Sequence, residues 1–176
     1  LQKLIMENHF SYQEVYSETK LSKELGISRT PLRDAVHRLA QEGYIDIIPS
    51  KGFMLHQMNR KDVNETFQVR SALETYCTVQ ISKASSTRKA KKLFKELDWI
   101  MECMNDIMET THSIKEFSEY DFQFHTKIID YLENEQFSNV FAMFMYRMKR
   151  LAELSLAHKG RMEQTYKEHM AILNCM

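Results

Sequence analysis

The stretch that decides the fold is Leu21-Ser22-Lys23-Glu24-Leu25-Gly26-Ile27-Ser28-Arg29-Thr30-Pro31-Leu32-Arg33-Asp34-Ala35-Val36-His37-Arg38-Leu39-Ala40-Gln41-Glu42-Gly43-Tyr44-Ile45. It holds two runs of helical spacing separated by a glycine. Ser17 can cap the first helix, with Glu18 in its first turn favourable to the helix dipole. Leu21 and Leu25 lie four apart, and Gly26 stops that helix. The second helix starts at Ser28–Thr30, where Pro31 is tolerated because first-turn amides have no helical partner. It ends at Gly43. Leu32, Ala35, Val36 and Leu39 share one face. Thr30, Arg33, His37 and Gln41 share the opposite one, flanked by Arg29 and Arg38. Two short helices joined by a tight glycine turn match a helix-turn-helix, whose second helix presents its N-terminal residues to base edges in the major groove. Arg33 is placed for a bidentate contact with guanine, and Ser28 and Thr30 for phosphates or bases.

Outward from this core the pattern continues. Residues 1–8 read as the end of a first helix, with Leu4 and Ile5 facing inward. Tyr44–Ile48 reads as a strand, Pro49-Ser50-Lys51-Gly52 as a turn and Phe53–His56 as a return strand. Lys51 at the hairpin tip suits a phosphate or the minor groove, and Gly52 permits close approach. Gly26, Pro31, Gly43, Pro49 and Gly52 all fall in this first part, and of the remaining breakers only Gly160 follows. The expected architecture is therefore mainly α. A winged helix-turn-helix spans residues 1–56, a linker 57–61, and an all-α helical bundle 62–176. The bundle's helices are expected near 62–82, 88–109, 114–132, 136–157 and 162–176.

Composition limits the function classes. The 176 residues carry 24 basic and 24 acidic side chains, a net charge of zero, so any nucleic-acid binding must come from a local patch. Cys77, Cys103 and Cys175 are odd in number and widely spaced, which points to reduced thiols in a cytoplasmic protein, not to a disulfide frame. No apolar run is long enough to span a membrane, and no signal peptide is visible. The chain begins without Met and stops in what reads as mid-helix, so native residues beyond both ends are expected.

The helical part holds charged residues inside apolar stripes. Asp121 and His125 sit four apart in the stripe of Ile114, Phe117, Ile128 and Leu132. His169 sits among Met162, Tyr166 and Leu173. Arg70 and Glu74 share the stripe of Val63, Cys77 and Ile81, and Arg147 that of Val140, Phe144, Leu151 and Leu154. Buried charges need partners. A buried ion network satisfies that need, and for any single residue it is the more economical explanation. A polar cavity between helices also satisfies it. Asp121, His125 and His169 offer one oxygen and two nitrogens, a set suited to Zn, Ni or a similar divalent ion. Arg70 or Arg147 can then fork onto an anionic group, with Glu74 beside them. His9, His56, His112 and His158 read as surface or loop residues, and the methionines as adaptable packing.

These motifs resemble a known family. The run from Leu21 to Ile45 and the wing Pro49-Ser50-Lys51-Gly52-Phe53 closely resemble the DNA-binding signature of GntR-family regulators. Glu7–Gln13 departs from it, lacking the glycines and proline that commonly follow the first helix. Arg70-Ser71-Ala72-Leu73-Glu74, Asp121-Phe122-Gln123-Phe124-His125 and Glu168-His169-Met170-Ala171-Ile172 resemble the markers of the FCD-type sensor domain of the FadR-like branch. The resemblance implies a homodimer on a palindromic double-stranded DNA operator, contacted through Ser28, Arg29, Thr30 and Arg33, with Lys51 and Gly52 in the wing. It implies a divalent metal on Asp121, His125 and His169, a fourth His ligand on a later helix, and a small organic acid as effector. Metal-free relatives that bind an acyl-CoA form a variant against which the retained Asp and His argue. A metalloenzyme is a different class that three open-site ligands also allow. No nucleophile motif accompanies them, and Glu74 is the one candidate base.

Overall fold

A computed structural model describes all of residues 1–176, which divide into two compact units, Leu1–Asp62 and Val63–Met176. The first unit holds α1 (Gln2–Met6), α2 (Glu18–Glu24), α3 (Arg29–Gln41) and the strands β1 (Ile45–Ile48) and β2 (Gly52–Leu55). The strands pair antiparallel, with Ile45 opposite Leu55 and Ile48 opposite Gly52. Leu32, Val36 and Leu39 of α3 pack into the small core with Ile5, Tyr44, Ile45, Phe53 and Leu55. Gly26, with φ +65, ends α2 in the left-handed conformation that a β-carbon disfavours.

Several local expectations change. Leu25 is 38% exposed, because α2 is only two turns long and Leu25 falls at its end; Ser22 is buried beside Leu21 instead. Ser17 takes the N-cap position with an extended backbone, yet its side chain makes no capping hydrogen bond. A further short pairing joins the hairpin: Tyr16 N–H donates to the Phe53 carbonyl at 2.7 Å, and Phe53 N–H to the Tyr16 carbonyl at 3.0 Å. Around it Tyr16 stacks on Phe53, and Phe10 meets Tyr16 edge to face.

The helix α4 (Arg60–Lys83) starts within the expected linker. A reciprocal capping box explains the early start. Lys61 and Asp62 N–H groups donate to the Asn59 side chain, and Asn59 N–H donates to the Asp62 carboxylate at 2.8 Å. The remaining helices are α5 (Arg88–Glu109), α6 (Ile114–Asp130), α7 (Glu135–Leu156) and α8 (Arg161–Cys175). Thr87, Ser113 and Asn134 cap α5, α6 and α7 through their side-chain oxygens. The core is built on α5, through Leu93, Leu97, Ile100, Met101, Met104 and Ile107, and on α6, through Phe117, Phe124, Ile128 and Ile129.

The phase of α7 differs from its expected stripe. Phe141 and Met148 are buried, whereas Val140 and Leu154 are 36% and 51% exposed. Apolar residues lie almost all round this helix, so its periodicity alone does not select a face. No helix is long and apolar enough to cross a membrane.

Candidate functional site

The candidate DNA-contacting residues belong to the first unit. Ser28, Arg29, Thr30, Arg33 and His37 are all exposed, while their helix neighbours Leu32 and Val36 are buried. Ser28 stands at the N-cap of α3 without a capping bond, so its hydroxyl remains available. Arg38 is tied to Glu42 at 3.1 Å; Arg29 and Arg33 form no ion pair. Lys51 is exposed at the hairpin tip. Gly52 has an internal role as well: a β-carbon there would lie 2.0 Å from the Tyr16 carbonyl oxygen.

His56, read from sequence as surface or loop, lies in the loop after β2 and is held there between two carboxylates. Its Nδ1 lies 2.9 Å from Asp46 and its Nε2 3.3 Å from Asp62. The signal was absent from the sequence because the hairpin register and the helix cap create that pocket.

In the helical unit, α6 presents Asp121 and His125 one turn apart, and α8 presents His169 to them. All three are buried. Their ligand atoms lie within 4.8 Å of one another. His169 Nε2 is 2.9 Å from His125 Nε2 and 3.3 Å from Asp121 Oδ1. His169 Nδ1–H donates to the Thr165 carbonyl one turn earlier, at 2.7 Å, which fixes the tautomer and turns the Nε2 lone pair toward the cluster. His125 Nδ1 is 3.0 Å from Glu74 Oε1, at an angle too bent for a full hydrogen bond. Arg70 N–H donates to Glu74 at 2.7 Å, and its other end rests against His125 Nε2.

The charges are mutually adjusted. Burial pushes Asp121 toward the neutral form, but the hydrogen bond and charge of His125, then His169 and Arg70, outweigh it and hold the carboxyl at about 2. Burial, reinforced by the positive charges of His125 and Arg70, pushes His169 down to about 4, so it is neutral at pH 7. Burial also pushes the Cys77 thiol up, to about 11, with Glu74 adding to the effect, so it is an inert core group.

This cluster opens on a cavity of about 900 Å³ between α4, α6, α7 and α8. Arg70, Glu74, Asp121, His125 and His169 all line it. Arg147 is not brought to it; its buried Nε has no hydrogen-bond partner. Sequence reasoning passed over Thr66, Thr165 and Arg161, and used Glu168 only as part of a motif. Arg161 lies in a bidentate pair with Glu168, at 2.9 and 3.0 Å, at the cavity wall.

Comparison with known proteins agrees with this two-part organisation. Residues 65–176 match the FCD domain, and residues 1–55 match the bacterial regulatory proteins of the gntR family. The chain belongs to the GntR family of transcription regulators and carries an FCD domain. An uncharacterized HTH-type transcriptional regulator of Bacillus subtilis is 25% identical over 98% of this chain and 75% of its own length. The gluconate operon transcriptional repressor of Bacillus licheniformis is 26% identical over 91% of this chain, which spans 63% of that repressor. A GntR transcriptional regulator of Rhodococcus sp. RHA1 has the same fold, with a TM-score of 0.72 at 11% identity over 98% of this chain and 86% of its own. The family and its relatives are DNA-binding transcription regulators, not enzymes.

Proposed function

We propose that this regulator binds a palindromic operator as a homodimer and responds to a small organic acid held at a divalent-metal centre in its helical unit. The observation that carries the metal reading is the buried Asp121, His125 and His169 cluster opening on the cavity beside Arg70. The donor set fits such an ion. Two nitrogens bound to one Zn or Ni ion at about 2.0–2.1 Å each sit about 3 Å apart, and the two Nε2 atoms are 2.9 Å apart. His169 is already neutral, with its lone pair turned inward. A bound Zn or Ni would supply open positions for a carboxylate. Arg70 and Glu74 line the cavity beside that position, and the guanidinium fork suits a carboxylate. Arg147 belongs to the proposal only as a more distant positive charge.

A second reading rests on Arg70 itself. Its guanidinium against His125 Nε2 is the arrangement of a metal-free ion network of Arg70, Glu74, Asp121, His125 and His169. Elemental analysis separates the two. The metal reading expects about one Zn or Ni per chain, lost in Asp121→Ala and His125→Ala. Metal content unchanged by those substitutions, or a carboxylate-induced rise in Tm that survives chelation, favours the network.

The DNA part follows from the exposed face of Ser28, Arg29, Thr30, Arg33 and His37, with Lys51 and Gly52 in the wing. Repression is the sign of regulation carried by the gluconate operon relatives. Promoter fragments from the regulator's own neighbourhood are expected to bind in a salt-dependent, sequence-selective way. Equal binding to scrambled fragments sinks this assignment.

A further inference from the structure

A threonine in or at the end of a helix can satisfy its own hydroxyl by bonding back to the preceding turn. Thr78 and Thr126, and Thr110 at the C-cap of α5, each donate their hydroxyl to the carbonyl four residues back, at 2.6 to 2.9 Å. Thr66 does not. It is 1% exposed, its Oγ1 has no hydrogen-bond partner, and it lines the same cavity as Arg70 and His125. A buried hydroxyl without a partner is costly, and in a binding cavity it discriminates strongly, because a ligand lacking the matching group leaves it unpaired. Thr78, Ser155 and the Thr165 carbonyl are engaged with the Glu74 carbonyl, Arg161 and His169, and Ser71 and Thr75 are exposed to water, so Thr66 is the buried hydroxyl of the lining that lacks a partner.

Position then defines the ligand. Thr66 lies one helical turn before Arg70 on α4, about 6 Å along the axis. Val63 and Phe67 flank it, and Leu151 and Ile172 line the cavity from α7 and α8. The two polar anchors are thus set in a mainly apolar wall. Resting on the effector reading above, we infer that Thr66 is a second anchor of the effector. That effector is an elongated carboxylate with an apolar spacer and a terminal hydrogen-bonding group, either a second carboxylate or a hydroxyl. A polyhydroxylated sugar acid fits this wall poorly.

Calorimetric titration of the full chain, with and without Zn, tests this using three probes of equal length: hexanoate, adipate and 6-hydroxyhexanoate. Adipate or 6-hydroxyhexanoate is expected to bind about tenfold more tightly than hexanoate. Thr66→Val keeps the side-chain shape and is expected to erase that preference while leaving hexanoate binding intact. The Tm of the unliganded variant is expected to be unchanged or higher, since no bond is lost. Equal binding of all three probes to the unsubstituted chain overturns the inference and leaves the effector reading standing. A preference that survives in Thr66→Val, with a lowered unliganded Tm, makes the hydroxyl a structural group and also overturns it. Failure of every probe to bind removes the carboxylate reading and the inference together.

Discussion

Gly52 and Gly26 share a positive φ but differ in what surrounds them. A β-carbon at Gly26 meets nothing within 4 Å, so Gly26→Ala carries only the left-handed backbone cost of about 1–2 kcal/mol. At Gly52 the β-carbon would collide with Tyr16 backbone atoms, which are held in the Tyr16–Phe53 pairing and cannot swing aside. Gly52→Ala is therefore expected to cost more, about 2–4 kcal/mol, through strain and loss of that pairing. Thermal melts of the two variants check the order; equal loss contradicts it. Arg33 and Lys51 differ in a parallel way on the DNA side. Arg33→Ala is expected to lower discrimination at one operator position by about 1–3 kcal/mol, as for a lost guanine fork. Lys51→Ala should weaken all sequences alike and reduce the salt slope by about one. Titrations of matched and mutated operators at several salt concentrations distinguish these outcomes.

Among the elements, α5 and α7 show what a sequence makes legible. The apolar positions of α5 recur on one face only, so Leu97 and Met104 were readable as core, and both are fully buried. Leu97→Ala is expected to cost about 2–5 kcal/mol. Trp99→Ala should cost about 1.5 kcal/mol or less, since Trp99 is half exposed and keeps mainly its edge contact with Tyr120. Chemical denaturation gives both values, and a larger loss at Trp99 would contradict the assignment of the faces. On α7 the apolar residues surround the helix, so periodicity did not show that Arg147, though its Nε is buried, stays out of the cavity that Leu151 and Leu154 line. The Asp121, His125 and His169 cluster was legible because one-turn spacing and an otherwise apolar face survive in sequence. Its supporting contacts were not. The Thr165 carbonyl, the Glu74 approach to His125 and the unpaired Thr66 hydroxyl depend on which helices pack together and at what rotation. His56 depends likewise on a hairpin register and a helix cap.

For the whole molecule, the remaining question is what covers the outer stripe of α7. Val140 and Met143 lie at i and i+3 on one side of that helix and are 36% and 56% exposed, whereas Leu154, 51% exposed, lines the cavity. A net charge of zero opposes no self-association through long-range repulsion. The proposed palindromic operator needs two recognition helices, one for each half-site, so a second copy of the chain is the occupant this stripe is expected to take. Sedimentation of the purified chain should then give a dimer at micromolar concentration. Met143→Glu places a charge on this exposed side and should shift the chain toward monomer without lowering its helical content, because Met143 is 56% exposed and contributes little to the core. Operator affinity should fall at low protein concentration in that variant and recover as concentration rises, which a fault in the recognition helix would not do. A Met143→Glu chain that remains dimeric puts the contact on another face, and a monomeric unsubstituted chain bound one to one on a full operator removes the dimer from the proposal.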